Sequence, residues 1–394
     1  MRILVLTEHF LPAVGGSITW LVNTYSRYTP GEVVFLASPQ PGNHHVHAKL
    51  PFPVKHTPMH MADWDPTMPS SLWRYLHIIW QTYRSCRQSG TQQIHCAKVL
   101  PEGLVAHSIW SLCGIAYLLY AHGEEIKTGL TSRKLRWLLP KIYGGASAII
   151  ANSNNTKRLL QSLGVPSSKI HIVHPGVDLP TFNRPSDTGH SIRQRLNLGD
   201  APLLLTVGRL QRRKGHDMVI KALAQIHGAF PSTKYLIVGS GDELPYLQHL
   251  CAEVGVEDQV IFAGQVPDEE LPSYYAACDI FIMPNREVDG DIEGFGMVYL
   301  EAGAAGKPVI GGKSGGTDDA IVDGMTGLRV DGNNSVEIGG AVIDLLSAPD
   351  RAKTMGLRGR QRVENEFAWD AIVTRTRQVA TMIAEEGRAN GQRA

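Results

Sequence analysis

Short apolar runs alternate with segments of helical periodicity along most of the chain. In the first half, the runs of strand length are residues 3–7, 32–37 and 146–151. In the second half they are residues 203–207, 234–238, 260–262, 280–283 and 309–310. Between them, apolar positions recur with the period of a helix, as in residues 18–25 and 218–224. Strands that alternate with helices predict an α/β fold with a doubly wound, mostly parallel sheet in each half.

The length of 394 residues is sufficient for two domains, each with its own core. A stretch rich in Pro, Asn, Asp and Ser follows Asp178 and separates the two sets of strands. We therefore predict an N-terminal domain over residues 1–180, a linker over 181–200 and a C-terminal domain over 201–370. A last helix is predicted from about residue 371.

The segment from Asp291 to Glu301 contains the most informative polar pattern of the chain. Glu293 precedes a glycine-bearing loop, and Glu301 lies within the helix that this loop opens, predicted over about 297–305 with Gly306 as its stop. Backbone N–H groups at a helix start attract anions, and glycine lets a ligand approach closely. The amides expected to do so are those of Phe295, Gly296, Met297 and Val298.

A carboxylate on each side of an anion site suits hydroxyl groups better than phosphate, because like charges repel. The pattern therefore fits a nucleotide sugar, with phosphates on the amides and hydroxyls on Glu293 and Glu301. The alternative is that Glu301 only interacts favourably with the dipole of its own helix. A second element favours the functional interpretation. Gly208 and Arg209 come directly after the strand at 203–207, and Lys214 follows, so two cations stand where open α/β sheets bind ligands. Such residues stabilise a departing diphosphate.

Two further glycines, Gly239 and Gly241, follow the strand at 234–238 and resemble the start of a dinucleotide fingerprint. Leu244 stands where the third glycine should be, which argues against a dehydrogenase. We interpret the segment as a tight turn that approaches the nucleotide of the donor. Asp289-Gly290-Asp291 has the spacing of a metal-binding motif but directly precedes the Glu293 loop, and we expect it to be solvated. No metal and no cofactor are predicted.

At these residues the sequence resembles the retaining glycosyltransferases of family 4. Glu293 and Glu301 match the two glutamates of that family, and Gly208-Arg209-Leu210 with Lys214-Gly215 matches its basic donor-phosphate motif. The resemblance extends along the chain through Gly15-Gly16, His122-Gly123-Glu124, 174–178 and 367–369. Residues 283–286 running into 291–294 are similar to the mannosyltransferases that build phosphatidylinositol mannosides.

The resemblance implies the GT-B fold, in which two Rossmann-like domains face a deep cleft and the C-terminal helix, here about 371–394, packs back on the first domain. It implies retention of anomeric configuration, with the leaving phosphate accepting the proton of the acceptor. It places His122 beside the donor sugar, where we expect it to donate a hydrogen bond, and Gly15 and Gly16 near the phosphates or sugar. From sequence alone, a lone histidine is more often structural.

The donor base is expected near Gln265 and Val266, after the strand at 260–262. Similarity to the lipid mannosyltransferases favours GDP-mannose, with UDP-glucose or UDP-N-acetylglucosamine as alternatives. The acceptor is expected to be a lipid-linked sugar or a glycan. Three other interpretations stay open at this point: a synthase with a soluble sugar acceptor, a sugar-nucleotide epimerase, and a nucleotide-sugar-binding subunit without turnover.

Charge is distributed unevenly, although the net charge is only +1. Residues 1–180 carry sixteen Lys and Arg against eight Asp and Glu, which leaves +8 there and −7 in the remainder. Aromatic residues with basic flanks lie at 72–87 and 133–141, a composition that suits an anionic membrane surface. Two ordinary domain helices are the alternative. No nucleic-acid module is recognisable. Five cysteines without metal-ligand spacing, a start without a signal peptide and no long apolar run predict a cytoplasmic protein, peripheral to the membrane at most.

Overall fold

The computed structural model describes residues 1–13, 15–60, 69–182 and 187–391. Two α/β units account for these residues. The first unit contains Met1–Pro175 together with Trp369–Ala394, and the second contains Gly176–Ala368. The polypeptide therefore leaves the first unit once, builds the whole of the second, and returns. At these crossing points, Val177 forms a parallel bridge with Ala368, and its N–H donates to the carbonyl oxygen of Phe367 at 3.0 Å.

The first unit is built from seven strands and eight helices within the described residues. Its strands are β1 (Ile3–Thr7), β2 (Val33–Ala37), β3 (Val54–His56), β4 (Gln93–Cys96), β5 (Ala116–Ala121), β6 (Ala148–Ala151) and β7 (Ile170–Ile172). Its helices are α1 (Gly16–Tyr25), α2 (Asn43–His47), α3 (Pro69–Ser89), α4 (Leu104–Cys113), α5 (Glu124–Thr131), α6 (Arg133–Gly145), α7 (Asn154–Ser162) and, from the chain end, α17 (Trp369–Gly391).

All neighbouring strands of this sheet are parallel, in the order β3-β2-β1-β4-β5-β6-β7. The chain first adds strands on one side of β1 and then continues with β4 on the other side. The strand order therefore reverses between β1 and β4, which makes this the topological switch point of the sheet. Every residue of β1 is buried, because helices cover both faces and a parallel strand needs no alternation of polar and apolar positions.

The second unit has six strands within the described residues: β8 (Leu203–Val207), β9 (Lys234–Val238), β10 (Val260–Gly264), β11 (Ile280–Met283), β12 (Val309–Gly312) and β13 (Gly327–Val330). Its helices are α8 (Leu179–Phe182), α9 (Asp187–Arg195), α10 (His216–Ala229), α11 (Leu244–Val254), α12 (Leu271–Ala277), α13 (Met297–Ala304), α14 (Thr317–Ala320), α15 (Ser335–Ser347) and α16 (Pro349–Glu366). Its sheet is also parallel, in the order β10-β9-β8-β11-β12-β13, with the switch point between β8 and β11.

The predicted α/β class with two doubly wound parallel sheets is thus confirmed. Helix α17 belongs to the first unit, where Ile372 and Ala380 are fully buried. The Gln93 amide donates to the carbonyl oxygen of Ala380 at 2.7 Å, and the Arg377 guanidinium lies 3.0 Å from Glu32. Residues 392–394, part of the predicted terminal helix, lie outside the described residues.

The predicted linker at 181–200 differs from the structure. Residues 187–195 form α9, Ile192 is buried, and the Arg193 guanidinium is paired with Asp279 at 2.7 Å, so this segment is part of the second unit. The polar composition misled the prediction, because the helix buries only a narrow stripe. Residues 183–186 lie outside the described residues.

Candidate active site

The loops after β8 and β11 bring together the charged residues that the sequence singled out. Arg209 follows β8 after Gly208, and Lys214 ends a tight turn, Arg212–Lys214, that leads into α10. Glu293 lies in the loop between β11 and α13. Both loops leave the carboxyl ends of neighbouring parallel strands at the switch point of the second sheet, where side chains from two separate loops can meet.

Glu293 is the centre of a buried ion cluster. Its Oε2 atom lies 2.5 Å from the Lys214 ammonium and 2.7 Å from the Arg213 guanidinium. The Nε atom of Arg213 lies 2.9 Å from Asp291, whose side chain is 45% exposed. Glu293, Arg213 and Lys214 are all buried. Asp291 is thus solvent-accessible, as the sequence predicted, and is also an ion-pair partner of Arg213.

Burial and charge act in opposite directions on this cluster. Burial raises the pKa of Glu293, but the positive charges of Lys214 and Arg213 outweigh it and bring the pKa to about 2. Burial lowers the pKa of Lys214, and the nearby charges of Arg213 and Arg209 lower it as well. The negative charge of Glu293 acts in the opposite direction. The cluster is therefore a carboxylate held ionised by two cations that are themselves close together.

Glu301 has a different environment. Burial raises its pKa to about 7, although the hydroxyl of Tyr275 donates to its Oε2 at 2.5 Å and the charge of Lys214 acts in the opposite direction. Because Lys214 influences both carboxyls, the two glutamates and the lysine of the predicted site share one electrostatic environment. Arg209 is exposed beside them.

Helix α13 begins at this site with free amides. Its N-cap, Gly296, has φ +88° and provides no side-chain cap, so the first N–H groups have no side-chain partner from that residue. Met297 and Val298 are half-buried. The side chain of Phe295 is buried and contacts Phe367, with ring centroids 6.0 Å apart, so only its backbone can serve a ligand.

The glycines after β8 and β9 have a packing role. A Cβ atom on Gly239, where φ is +138°, would overlap the carbonyl oxygen of Gly208. A Cβ atom on Gly241 would lie 2.5 Å from the carbonyl oxygen of Leu210. Glycine is therefore needed for the two loops to contact each other. Beyond them, Gln265 is exposed and Val266 half-buried after the end of β10. Their predicted contacts with the donor stay predictions.

His122 belongs to the first unit and follows β5. Its Nε2 lies 2.9 Å from the carbonyl oxygen of Ala97, which can only accept, so Nε2 carries a hydrogen and the other ring nitrogen, Nδ1, is the one left for a ligand. The indole of Trp20 packs edge-on against the ring at 5.7 Å. A neutral His122 would thus accept a hydrogen bond, in contrast to the donor role expected from the sequence. Gly15, with φ 170° and no atom within 4 Å of a Cβ, has no steric need for glycine, and Gly16 begins α1.

Two family models match the chain in succession. The model described as Glycosyltransferase Family 4 matches residues 30–180, and that described as Glycosyl transferases group 1 matches residues 190–362. A monoacylated phosphatidylinositol monomannoside mannosyltransferase of Corynebacterium glutamicum is 31% identical over 94% of this chain and 95% of its own length. The chain belongs to the family 4-like glycosyltransferases. A phosphatidylinositol monomannoside mannosyltransferase of Mycolicibacterium smegmatis is 38% identical over 63% of this glycosyltransferase, and the match spans 65% of that relative, just under two thirds.

Solved structures support the fold of this glycosyltransferase. Anabaena HepE, solved with UDP, has a TM-score of 0.82 at 19% identity and covers 98% of this chain and 100% of its own. Sucrose-phosphate synthase from Thermosynechococcus elongatus has a TM-score of 0.79 at 23% identity, with the same coverage. At such identities the likeness concerns the fold alone, and it identifies the two parallel sheets as those of the GT-B architecture.

Sequence reasoning missed several residues that support the site of the glycosyltransferase. Arg213 was overlooked, although it precedes Lys214 in the same basic run. Asn285, fully buried, accepts hydrogen bonds from the Gly312 amide at 3.0 Å and the Tyr299 hydroxyl at 2.6 Å, and so joins the loops after β11 and β12 to α13. Its position two residues after the end of β11 was the available signal.

A second buried ion pair fixes the start of α10 in the glycosyltransferase. The guanidinium of Arg286 contacts both carboxylate oxygens of Asp217, at 2.9 and 2.8 Å. Asp289 and Gly290, with φ of +51° and +81°, form a tight turn between Val288 and Asp291. Within residues 1–13, 15–60, 69–182 and 187–391, no group of three or more His, Cys, Asp or Glu side chains could hold a metal ion. In the same ranges, no helix combines the length and apolarity required to cross a bilayer.

Proposed function

We propose that this chain transfers mannose from GDP-mannose to a glycolipid acceptor, with retention of anomeric configuration and without a metal ion. The observation that carries the proposal is the contact between Lys214 and Glu293 beside the free amides of α13. The donor is chosen because the relatives from Mycolicibacterium and Corynebacterium are named as GDP-mannose-dependent enzymes that act on phosphatidylinositol monomannosides.

In the proposed reaction, the bond between the anomeric carbon and the diphosphate oxygen breaks, and a bond to an acceptor oxygen forms on the same face. The leaving phosphate takes the proton of the acceptor hydroxyl. Arg209, Lys214 and the amides of Met297 and Val298 stabilise the negative charge of the diphosphate, so that charge neutralisation needs no metal. Glu293 binds hydroxyls of the transferred sugar.

Four other residues complete the proposed donor site. Glu301 binds the ribose, and Gln265 with Val266 approaches the base. His122 accepts a hydrogen bond from the sugar through Nδ1, because its Nε2 is bonded to Ala97.

Calorimetric titration with GDP-mannose, UDP-glucose and UDP-N-acetylglucosamine tests the donor. We expect GDP-mannose to bind most tightly and to give a glycolipid product only when an acceptor is present. Turnover of the donor alone to an epimer would indicate the epimerase alternative. Binding of none of the three nucleotide sugars would contradict the proposal.

Substitution tests the assigned charges. Lys214→Ala and Glu293→Ala should each lower kcat by about 10²–10³. Lys221→Ala and Glu253→Ala, at exposed positions on α10 and α11, are the matched controls and should retain activity. Unchanged turnover in the first pair would overturn the assignment of these side chains.

We also propose that the first unit binds the inner face of an anionic membrane. Trp73 and Trp80 on α3 are 74% and 53% exposed, with Leu72 and Leu76 close by on the same helix at 48%. On α6, Trp137 is 66% exposed and the ammonium of Lys141 lies 3.4 Å from its ring centroid. Exposed aromatic rings with basic neighbours are typical of surfaces that insert at the headgroup level.

Sedimentation with vesicles tests the membrane proposal. The protein should bind vesicles that contain phosphatidylglycerol, release them at high salt, and bind weakly to phosphatidylcholine alone. Trp73→Ala with Trp80→Ala should weaken binding, whereas Leu357→Ala, which removes an exposed apolar side chain of the second unit, should not. Equal binding by both variants would contradict the proposal.

A further inference from the structure

The switch point of the first sheet carries a buried carboxyl pair that the proposed reaction does not use. Glu8 directly follows β1, and Glu102 lies in the turn after β4, so the two residues come from the two strands between which the strand order reverses. In the second unit, the equivalent position between β8 and β11 holds the Lys214–Glu293 cluster. Ligands of open α/β sheets bind at such points.

Glu8 is only 1% exposed, yet within the described residues neither an arginine nor a backbone amide binds its carboxylate, and its Oε2 has no hydrogen-bond partner. Its Oε1 lies 3.1 Å from Nδ1 of His60, and its Oε2 lies 3.2 Å from Nδ1 of His9. The two imidazole side chains are 78% and 47% exposed. A buried carboxylate that served only the fold would be expected to have donors that stay in place.

The backbone around this carboxylate is held rigidly. The N–H of Glu8 donates to Oε1 of Glu102 at 2.7 Å. Glu102 is itself 1% exposed, and its Oε2 has no hydrogen-bond partner. On the other side, the hydroxyl oxygen of Ser38, which follows β2, accepts from the amides of Met59 at 2.7 Å and His60 at 3.2 Å. The backbone of Glu8 is thus held in place, whereas His9 and His60, which lie next to its carboxylate, can be displaced.

Glu102 is the more unusual member of the pair. Burial raises its pKa to about 8, and the neighbouring charge of Glu8 acts in the same direction. Near neutral pH, Glu102 is therefore mainly uncharged. The arrangement leaves the Glu8 carboxyl group as the available hydrogen-bond acceptor at the switch point.

We propose that Glu8 binds two adjacent hydroxyls of the acceptor, which displace His9 and His60 from its oxygens. A carboxylate accepts two parallel hydrogen bonds from a vicinal diol, and both imidazoles can turn toward solvent when it arrives. The ligand class is a polyol, either a cyclitol or a hexose. This inference rests on the proposed function for the identity of the acceptor, whereas the polyol site itself concerns the first unit alone.

Direct binding to the full-length chain tests the site. The probes are myo-inositol and methyl α-mannoside, followed by saturation-transfer NMR, with inorganic phosphate as a competitor. We expect at least one polyol to bind, and the stronger probe to identify the cyclitol or hexose source. Glu8→Gln should weaken that binding about tenfold, because one acceptor oxygen becomes a donor. Phosphate should not compete.

Two further variants keep the test decisive. Glu8→Asp retains the charge and should bind more weakly than the native protein but better than Glu8→Gln. Glu385→Gln alters an exposed acidic residue of the first unit, on α17, and should bind like the native protein. Unchanged polyol binding in Glu8→Gln, or competition by phosphate, would overturn the inference.

Donor titration separates this inference from the proposed function. GDP-mannose should bind Glu8→Gln as it binds the native protein, while KM for the acceptor rises and KM for the donor does not. If the native protein fails to bind GDP-mannose but its polyol binding depends on Glu8, the proposed function is wrong and the polyol site stands. If transfer occurs and the acceptor KM of Glu8→Gln is native-like, only the Glu8 assignment is wrong.

Discussion

Arg213 provides Glu293 with a second positive partner in addition to Lys214. If Lys214 turns towards a diphosphate, as the proposed function requires, Glu293 loses one of its two cations while still buried. Arg213 stays, because its Nε contacts Asp291 and its terminal nitrogen contacts Glu293. An uncompensated buried carboxylate costs several kcal/mol, so this second cation is what allows Lys214 to change partners.

Removal of Arg213 should therefore affect both stability and donor binding. We expect Arg213→Gln to destabilise the second unit by about 2–4 kcal/mol, because it leaves Asp291 unpaired and Glu293 with a single cation. Donor KM should rise, since Lys214 is then retained by Glu293, and Arg213→Lys should restore part of the loss. Urea unfolding and donor kinetics measure both effects. Arg358→Gln, at an exposed position on α16, is the control, and equal behaviour of the two glutamine variants would contradict the argument.

Glu102 should make the stability of the first unit depend on pH. Its folded pKa of about 8 lies above the value of an unfolded chain, so between about pH 4.5 and 8 the folded state retains a proton that the unfolded state has released. The free energy of unfolding should therefore fall as pH rises through this window and level off above it.

Glu102→Gln keeps the acceptor for the Glu8 amide and removes the titration. Its free energy of unfolding, relative to the native protein, should increase from pH 5 to pH 8 by about 2–4 kcal/mol. Urea midpoints at pH 5, 7 and 9 provide the measurement. A constant difference between variant and native protein across this range would show that Glu102 does not titrate as described.

At the scale of residues, the sequence predicted the participants of the site better than their contacts. The sequence could predict that Lys214 and Glu293 lie close together, because both follow parallel strands whose carboxyl ends lie at the same edge of the sheet. The role of Arg213 could not, since three basic residues in succession do not reveal which one points inward. The orientation of His122 was also inaccessible, because it depends on the carbonyl of Ala97 from a different strand.

Among the structural elements, the loops after β8 and β9 depend on glycine for their contact. Gly239→Ala should be strongly destabilising, by roughly 3 kcal/mol or more, because the new Cβ meets the Gly208 carbonyl oxygen and the backbone has positive φ. Gly255→Ala is the matched control. Gly255 has φ +72° at the end of α11 but no atom within 4 Å of a Cβ, so only the cost of about 1 kcal/mol for the left-handed backbone should appear.

Thermal unfolding distinguishes these two contributions. A large loss of stability in Gly239→Ala with a small one in Gly255→Ala would support the close approach of the loops. Similar losses in both variants would indicate that backbone conformation alone explains the glycines, and that the loops can separate at little cost.

The elements were predictable where burial follows a simple pattern. The strands at 203–207, 234–238 and 280–283 agree with the structure at both ends, because uninterrupted apolar runs of this length are typical of buried parallel strands. β4 escaped prediction because it contains Gln93 and His95. The structure buries both by pairing His95 with the Tyr25 hydroxyl at 2.6 Å and Gln93 with α17, contacts that span the chain. Short edge strands such as β3 and β7 lacked a sufficient apolar run.

At the scale of the whole molecule, α17 stabilises a unit that lies far from it in sequence. Deletion of residues 369–394 should unfold the first unit and spare the second, because Ile372, Ala380 and the bond from Gln93 are all lost from the first core. Limited proteolysis with mass spectrometry should then yield a protected fragment close to residues 176–368. Deletion of residues 388–394 is the control and should leave both units protected. A protected first unit after the larger deletion would contradict this prediction.

The repetition of one architecture was visible in the sequence as two sets of alternating elements. The strand order within each sheet was not, since apolar runs carry no information about their neighbours. In both sheets, the strand order reverses at the strand pair that is followed by a buried pair of ionisable side chains, Glu8 with Glu102 in one and Lys214 with Glu293 in the other. The first of these pairs was missed because Glu8 and Glu102 belong to no motif and are 94 residues apart.

The neighbouring entry and exit of the second unit have a practical consequence for protein engineering. Because Val177 and Ala368 are bridged partners, the second unit is an insertion whose two ends are already side by side. A gene that joins residue 175 to residue 369 through a few glycines and serines would encode the first unit alone. The second unit, expressed separately, could be cyclised through an equally short linker between its two ends. Each unit could then be studied without the other.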